Sequence, residues 1–353
     1  MDRTIELAAD TFEEMRELAA ANGWGDGLPL VPPTEARVDA MLGGRHPDDT
    51  LGLMAPRHAE VSNVAVAANA VMAGCTPDLF PVVTTAVRAL CREEMNLEGV
   101  QTTTHPVAPL VIVHGEVATR CGFNSGSGAF GPGWAANATV GRAVRLCLLH
   151  VGGARPGEGD QSTQGQPSKY TYCVAENLAA TPWEPYPTSV GVHATSAVTV
   201  ACHENPHNVE NHVSGHAPSL LTTVASVFTT IGSNNTWVHD AEVFVMLCPE
   251  HARSIADDGW GRRDVQDFLF DESRIPLGRL RYRGYPDYGP DELTARAVMW
   301  PRWMRALEDD DHTVPIVTDP GKFRIVVVGG AGKHSAVLPS WGMTKSVTLP
   351  LDP

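Results

Sequence analysis

The chain has 353 residues, of which 43% are hydrophobic and 19% charged, and 41 Asp and Glu outnumber 26 Lys and Arg to give a formal net charge of −15. This composition predicts a globular protein with one or two hydrophobic cores, and it argues against nucleic acid as a partner, because nucleic-acid binding requires concentrated Lys and Arg. No apolar run approaches the roughly 18 residues of a membrane span, so we expect no membrane partner.

Seven cysteines are spread along the sequence, and none forms a CxxC pair. The acidic N-terminus lacks the basic start and the apolar stretch of a secretory leader. Scattered cysteines without paired spacing are typical of reduced thiols, so we predict a cytoplasmic protein.

Apolar residues at helical spacing predict five helices, and a capping box of Thr11 and Glu14 marks the start of the first. These helices are predicted over residues 10–22, 34–42, 61–72, 79–91 and 137–150. Apolar and β-branched runs predict strands over residues 102–113, 198–201, 244–247 and 324–328. Because strands and helices alternate, we predict an α/β fold with mixed or largely parallel sheets flanked by helices.

Two stretches of the chain resemble each other. His105–Val113 aligns without a gap on His239–Leu247, and each stretch follows an apolar helix that contains a Thr-Thr pair. This pattern favours two pseudo-symmetric internal repeats with a site between them. We divide the chain into an N-terminal helical and loop extension at 1–50, a first α/β half with a long polar loop at 51–187, and a second α/β half at 188–353.

Residues 203–216 hold four of the fourteen histidines and a literal HExxH. Imidazoles four residues apart share one helix face, and two His with a Glu between them form the zincin arrangement. Pro206 lies inside this motif and opposes a continuous helix. We predict a divalent metal (zinc, manganese or iron), with the candidate ligands His203, Glu204, His207, His212 and His216.

Two glycine-rich loops are candidate anion sites, because their backbone N–H groups allow close approach of a ligand. The first precedes the helix at 137–150, for which Asn137 is the predicted N-cap. The predicted substrate-binding residues are Asn124, Ser125, Gly126, Ser127, Gly128 and Asn137, with Ser335 from the second loop. No GxGxxG follows a strand directly, so we expect neither a nicotinamide nor a flavin cofactor.

The long polar loop at 152–187 contains Lys169, Tyr170 and Glu176, which can donate or accept protons when partly buried. The predicted catalytic residues are these three together with Cys75, Lys333 and His334. Ligands in open α/β sheets bind at the carboxyl ends of the strands. We therefore expect the neighbourhoods of residues 125, 170, 203 and 333 to line one cavity.

The leading interpretation is an enzyme that acts on a small polar or anionic metabolite by acid/base chemistry, as a lyase, hydratase or hydrolase, with the metal as a Lewis acid. One alternative is a cysteine-dependent oxidoreductase or transferase that uses Cys75, which lies in a turn before a helix. Another is a non-catalytic binding subunit of a larger complex. The many apolar helices also favour a homo-oligomer.

Four motifs spread over nearly the whole chain resemble a bacterial family associated with UGSC-motif (seleno)proteins. They are DGLPLVPPT at 26–34, NAVMAGCTPDLFPVV at 69–83, KYTYCVAEN at 169–177 and GGAGKHSAVLPSWG at 329–342. The chain has no UGSC or CGSC stretch, so the resemblance implies no selenol or thiol redox role here and supplies no site residues.

Overall fold

The structure, a computed structural model, describes residues 11–237, 241–281, 309–342 and 344–351. The helices are α1 (Phe12–Asn22), α2 (Glu35–Leu42), α3 (Asn63–Ala73), α4 (Phe80–Leu90), α5 (Leu97–Thr102), α6 (Glu116–Arg120), α7 (Ala135–His150), α8 (Tyr186–Ser189), α9 (Ala217–Phe228), α10 (Pro249–Asp257), α11 (Arg262–Glu272) and α12 (Leu277–Arg281). The strands are β1 (Thr50–Met54), β2 (Ala59–Ser62), β3 (Ala108–Gly115), β4 (Cys173–Ala175), β5 (Ser196–His203), β6 (His207–Glu210), β7 (Val243–Leu247), β8 (Arg274–Pro276), β9 (Thr313–Pro315), β10 (Phe323–Val327), β11 (His334–Leu338) and β12 (Val347–Pro350).

The predicted α/β fold with mixed sheets is confirmed. The first sheet has the strand order β12-β5-β3-β4, and the second has the order β10-β7-β11-β6. Each sheet contains one parallel pair, β3 with β4 and β7 with β10, while its other neighbours are antiparallel. Two short antiparallel pairs, β1 with β2 and β8 with β9, lie outside these sheets.

The two sheets pack face to face, and helices cover their outer faces. Alternate residues of β3, such as Leu110 and Ile112, share an inner cluster with Phe244 and Met246 of β7. The other faces pack outward, the first sheet against α3, α4 and α7 and the second against α9, α10 and α11. A strand buried on both faces is apolar along its whole length, and this explains the unbroken run at Leu110–Val113.

The two sheets have the same topology, with β4, β3, β5 and β12 matching β10, β7, β11 and β6 in order and direction. The chain leaves β5 in the first sheet and forms β6 in the second, and it leaves β11 in the second sheet and forms β12 in the first. A duplicated chain would fold in this way, and the internal repeat remains a prediction. His239, one end of the aligned stretch, lies outside the described residues.

The first predicted helix is confirmed together with its cap, because the Thr11 hydroxyl accepts a hydrogen bond from the Glu14 backbone N–H at 3.2 Å. Three other predictions about local structure were wrong. The first strand begins at Ala108 rather than at 102, because α5 continues to Thr102. The N-cap of α7 is Trp134 rather than Asn137, which is buried inside the helix. The loop at 152–187 also contains β4.

The carboxyl ends of the predicted strands do not all lie at one edge of a sheet. The parallel strands β7 and β10 end at the same edge, where Val328 N–H donates to Leu247 O at 2.9 Å. β3 and β5 are antiparallel, with Ala108 opposite His203, so their carboxyl ends lie at opposite edges of the first sheet.

Among the described helices, none has the length and apolar character needed to cross a membrane. The domain boundary at residue 188 stays a prediction.

Candidate functional site

A group of half-buried polar side chains lies where β5 ends and the loop at 155–172 crosses the start of β3. The loop is shaped by local backbone bonds, since Gly159 and Asp160 both donate to Arg155 O, and a short 3-10 turn at Pro167–Lys169 ends it. Gln166 then fastens the loop to the end of β5 by donating to His203 O at 3.1 Å. These contacts bring a lysine, a serine, a histidine and two carboxylates together.

Lys169 is at the centre of this cluster. Its Nζ donates to Ser162 Oγ and to Asp160 Oδ2, each at 2.6 Å. Burial lowers the pKa of Lys169, and the hydrogen bond that Lys169 donates to Asp160 opposes that shift without cancelling it. Asp160 also pairs with Arg145 at 3.2 Å, so two cations share one carboxylate.

Ser162 links Lys169 to a second acid/base pair. The Ser162 hydroxyl donates to the backbone oxygen of His105 at 2.8 Å. The His105 ring accepts from Val107 N–H through Nδ1, and its Nε2 therefore donates to Glu204 Oε1 at 2.8 Å. The Glu204 side chain is 28% exposed, so a molecule in solution can reach this carboxylate.

Two aromatic side chains lead from the cluster toward the surface. Tyr172 is buried and donates through its hydroxyl to Glu204 O at 2.8 Å, and its ring contacts Phe130 with a centroid separation of 6.0 Å. Phe130 remains exposed, as do Trp134 and Tyr170 elsewhere on the surface. An exposed ring such as Phe130 near buried polar groups is typical of a binding surface rather than of a core.

No family model, curated protein or solved structure matches the chain. The chemistry of the cluster therefore has to be argued from its own geometry. The likeness to the UGSC-associated family stays a resemblance.

The predicted catalytic residue Glu176 lies apart from this cluster, in the inner layer between the sheets. Its carboxylate accepts from His114 Nδ1 at 2.7 Å and from Tyr186 N–H at 2.9 Å. The other His114 nitrogen lies 2.9 Å from the Thr199 hydroxyl. All these side chains are buried, so the array resembles a catalytic triad in its distances while the described surroundings exclude solvent from it.

The five predicted metal ligands do not form one group. The HExxH stretch joins the end of β5 to the start of β6, so it does not form the helical zincin arrangement, as Pro206 indicates. His203 is buried with Nδ1 at 3.2 Å from Pro339 O, His207 is exposed on β6, and His216 pairs with Asp258 at 3.4 Å. Glu204 bonds His105 as described above. In the described ranges no three His, Cys, Asp or Glu side chains are gathered as a metal site, and the metal stays a prediction.

The second glycine-rich loop brings three predicted residues to the edge of the second sheet. Lys333 Nζ donates to His212 O at 3.0 Å, and His334 lies beside His212. Ser335 is buried, where its hydroxyl accepts from Cys248 N–H at 3.0 Å and lies 2.8 Å from His251 Nδ1. Its hydroxyl is therefore committed to protein partners.

The first glycine-rich loop uses its amides to hold its own shape. Asn137 Oδ1 accepts from Asn124 N–H at 2.8 Å and its Nδ2 donates to Asn124 O at 3.0 Å. The Asn124 side chain bonds Gly126 N–H and Ser127 O. Ser125 O accepts from Gly329 N–H at 2.8 Å, so the two glycine-rich loops touch. Substrate binding by this loop, Gly128 included, stays a prediction.

The thiol alternative loses its physical basis at Cys75. The side chain is buried, and burial raises the pKa of its thiol to about 12. A nucleophilic cysteine requires the thiolate, which is rare at neutral pH for such a group. We interpret Cys75 as a packing residue of the first core.

The residues that sequence reasoning undervalued are Ser162, Asp160 and His105. Asp160 and Ser162 lie in the polar loop. Ser162 is seven residues before Lys169, and this spacing matches no periodic sequence pattern. His105 precedes a strand and is ordinary by sequence. Only the fold of the loop across β3 brings the three together, so no motif at fixed spacing reports them.

Two buried histidines make stability depend on pH. Burial lowers the pKa of both His150 and His203 to about 4. In the unfolded chain both histidines have the usual pKa of about 6.5 and take up protons below that pH. In the folded chain they take up protons only near pH 4. Stability therefore falls as pH falls from 6.5 to 4, by up to about 3 kcal/mol per histidine.

Urea unfolding midpoints measured across this pH range check the prediction. His150→Gln should flatten the curve, since one of the two titrations is gone. Replacement of the exposed His207 by Gln serves as the control. A midpoint that is constant from pH 6.5 to 4 in the wild type contradicts the expectation.

Proposed function

We propose that the protein is a hydrolase that cleaves an ester or amide bond of a small polar substrate, with Ser162 as the nucleophile and Lys169 as its general base. The observation that carries the proposal is the 2.6 Å separation of Lys169 Nζ and Ser162 Oγ in a half-buried cluster. A serine hydroxyl is a weak nucleophile until a base at hydrogen-bond distance accepts its proton. The ammonium form of Lys169 donates to Ser162 Oγ, and the proposal requires this hydrogen bond to reverse when Lys169 loses its proton, so that the hydroxyl turns from His105 O to the neutral amine.

A lysine acts as a base only when its amine is neutral. Burial lowers the pKa of Lys169 and favours the neutral amine, while Asp160 favours the ammonium. Arg145 weakens the second effect, because it competes for the same carboxylate. The proposal therefore includes a reaction rate that rises with pH as Lys169 loses its proton.

The surroundings suggest the substrate class. Lys169 and Arg145 supply positive charge, and Glu204 supplies an accessible negative charge on the other side of Ser162. Phe130 adds an exposed ring, which contacts the Tyr172 that bonds the Glu204 backbone. A small molecule with a polar or charged group and a flat apolar part fits such a border.

A fluorophosphonate probe tests the nucleophile, since it labels activated serines covalently. Mass spectrometry of the labelled protein should find the probe on Ser162, and Ser162→Ala should abolish labelling. Ser168→Ala is the matched control, because Ser168 lies in the same loop and should leave labelling intact. Labelling elsewhere, or none at a probe excess that labels a known serine hydrolase, contradicts the proposal.

A second candidate is an acid/base lyase or hydratase in which Glu204 abstracts the proton. The observation in its favour is the His105–Glu204 pair at 2.8 Å with an accessible carboxylate. A histidine that donates to a carboxylate fixes its orientation for proton transfer. Glu204→Gln should abolish turnover in this case while Ser162→Ala leaves it intact, which is the opposite of the hydrolase result for Ser162.

A further inference from the structure

A pair of exposed histidines lies on the second sheet, away from Ser162 and Lys169. β6 and β11 are antiparallel neighbours, and His334 stands directly opposite Glu210. Residues opposite each other on adjacent strands have side chains on the same face at close range. His212 follows β6 by two residues, and its ring meets that of His334 edge to face with centroids 5.0 Å apart.

The Nε2 atoms of the two rings lie closest to each other. His212 Nε2 lies 3.3 Å from His334 Nε2. This separation is long for a hydrogen bond, since N–H···O bonds in proteins are usually 2.9–3.0 Å. Two imidazole nitrogens bound to one tetrahedral zinc at 2.0–2.1 Å are about 3.3–3.4 Å apart, so the observed separation matches a shared metal.

The neighbouring groups fix the rings in a state suited to coordination. His334 Nδ1 lies 3.1 Å from Asn208 Oδ1, an acceptor, so Nδ1 carries the proton and Nε2 presents its lone pair. A second hydrogen bond of this kind orients most metal-bound histidines. The His212 backbone is held on both sides, because its N–H donates to Glu210 Oε1 at 3.1 Å and its carbonyl accepts from Lys333 Nζ.

A carboxylate lies beside the histidine pair. Glu210 Oε1 lies 3.7 Å from His212 Nε2 and accepts from the His212 backbone N–H, so it adds negative charge next to the pair. The side chains of His212 and Glu210 are 55% and 53% exposed, so a cation in solution has access and water can complete the coordination shell. Lys333 Nζ donates to the carbonyl of His212.

We propose that His212 and His334 form a two-histidine surface site for a borderline transition-metal cation such as Zn²⁺, Cu²⁺ or Ni²⁺, with water completing the coordination shell. Imidazole nitrogens favour these ions over Mg²⁺ and Ca²⁺, which prefer oxygen ligands. The site uses one of the histidines predicted from the sequence and gains its partner from a strand more than a hundred residues further along the chain. It is independent of the proposed hydrolase activity.

Isothermal titration of the untagged, chelator-treated full chain with ZnCl₂ and with CuCl₂ tests the site. We expect one equivalent to bind, and Cu²⁺ loaded at one equivalent should give nitrogen hyperfine splitting in electron paramagnetic resonance. His212→Ala and His334→Ala should each weaken binding at least tenfold. Binding should also weaken as pH falls, because protonation removes the imidazole lone pairs.

The controls are two other exposed histidines of the same segment. His207→Ala and His216→Ala should leave the affinity within twofold of the wild type, and MgCl₂ should give no heat of binding at this site. The proposal is overturned if the wild type binds neither Zn²⁺ nor Cu²⁺. It is also overturned if the His212 and His334 variants bind as the wild type does, or if the control variants lose as much affinity. Circular dichroism verifies that each variant is folded.

Discussion

Lys169→Met is expected to lower the second-order rate of fluorophosphonate labelling, and of any ester hydrolysis, by about 10²–10⁴-fold, because that is the usual contribution of a positioned general base. The methionine fills most of the lysine volume but accepts no proton from Ser162. It also removes one of the two cations that Asp160 bonds in the wild type. Some loss of stability should therefore accompany the loss of activity.

Lys169→Arg separates these two effects. The guanidinium keeps the positive charge beside Asp160, yet it does not give up its proton at any pH at which the protein folds. We expect this variant to unfold at nearly the wild-type urea concentration and to remain as inactive as Lys169→Met. Full activity in Lys169→Arg would assign Lys169 a purely electrostatic role and remove the base from the proposal.

The pH dependence adds a further readout of the same group. Since burial lowers the pKa of Lys169, the neutral amine should become available at a lower pH than for a solvated lysine. Activity in the wild type should rise with pH through that titration and then level off. A rate that falls over the alkaline range contradicts the assignment of Lys169 as the base.

Removing Glu176 should have the largest effect on stability. Glu176→Ala leaves the buried His114 and the Tyr186 backbone N–H without their acceptor. Loss of one partner of a buried, hydrogen-bonded pair typically destabilises by about 3–5 kcal/mol. We expect a loss in this range, measured as the free energy of unfolding in urea.

A double-mutant cycle with His114→Ala distinguishes the pair from simple loss of packing. If the two side chains act as a unit, the double variant should lose less than the sum of the single losses, with a coupling energy of about 1–3 kcal/mol. Thr348→Val is the matched control at the end of the same array, where the Thr348 hydroxyl lies 2.9 Å from that of Thr199, and it should cost about 1 kcal/mol. Additive losses would contradict the coupling.

The fold was predictable wherever local chemistry decides it. The capping box at Thr11 and the run at Leu110–Val113 each report one element, because the first satisfies free backbone N–H groups and the second is buried on both faces. The antiparallel direction of the β3–β5 pair was not predictable from the sequence. Strand direction depends on contacts across 85 residues, as between His114 and Thr199, and no local pattern encodes them.

The candidate site was predictable in part. The sequence predicts Lys169 as a catalytic residue and Glu204 as a metal ligand. The structure brings the loops that carry them together through Gln166 and Tyr172. Glu176 was predicted with Lys169 because both lie in the polar loop at 152–187 and both can donate or accept protons when partly buried. The short strand β4 separates them, since Tyr172 remains at one end of the strand and Glu176 emerges at the other, inside the protein.

The exchange of β6 and β12 between the sheets has a consequence for synthesis of the chain. Residues 197–200 of β5 stay unpaired on the side away from β3 until residues 347–350 leave the ribosome, because β12 pairs with them there. Exposed edges recruit strands from other molecules. We therefore expect nascent chains released before residue 347 to aggregate or to engage chaperones more than chains that contain β12.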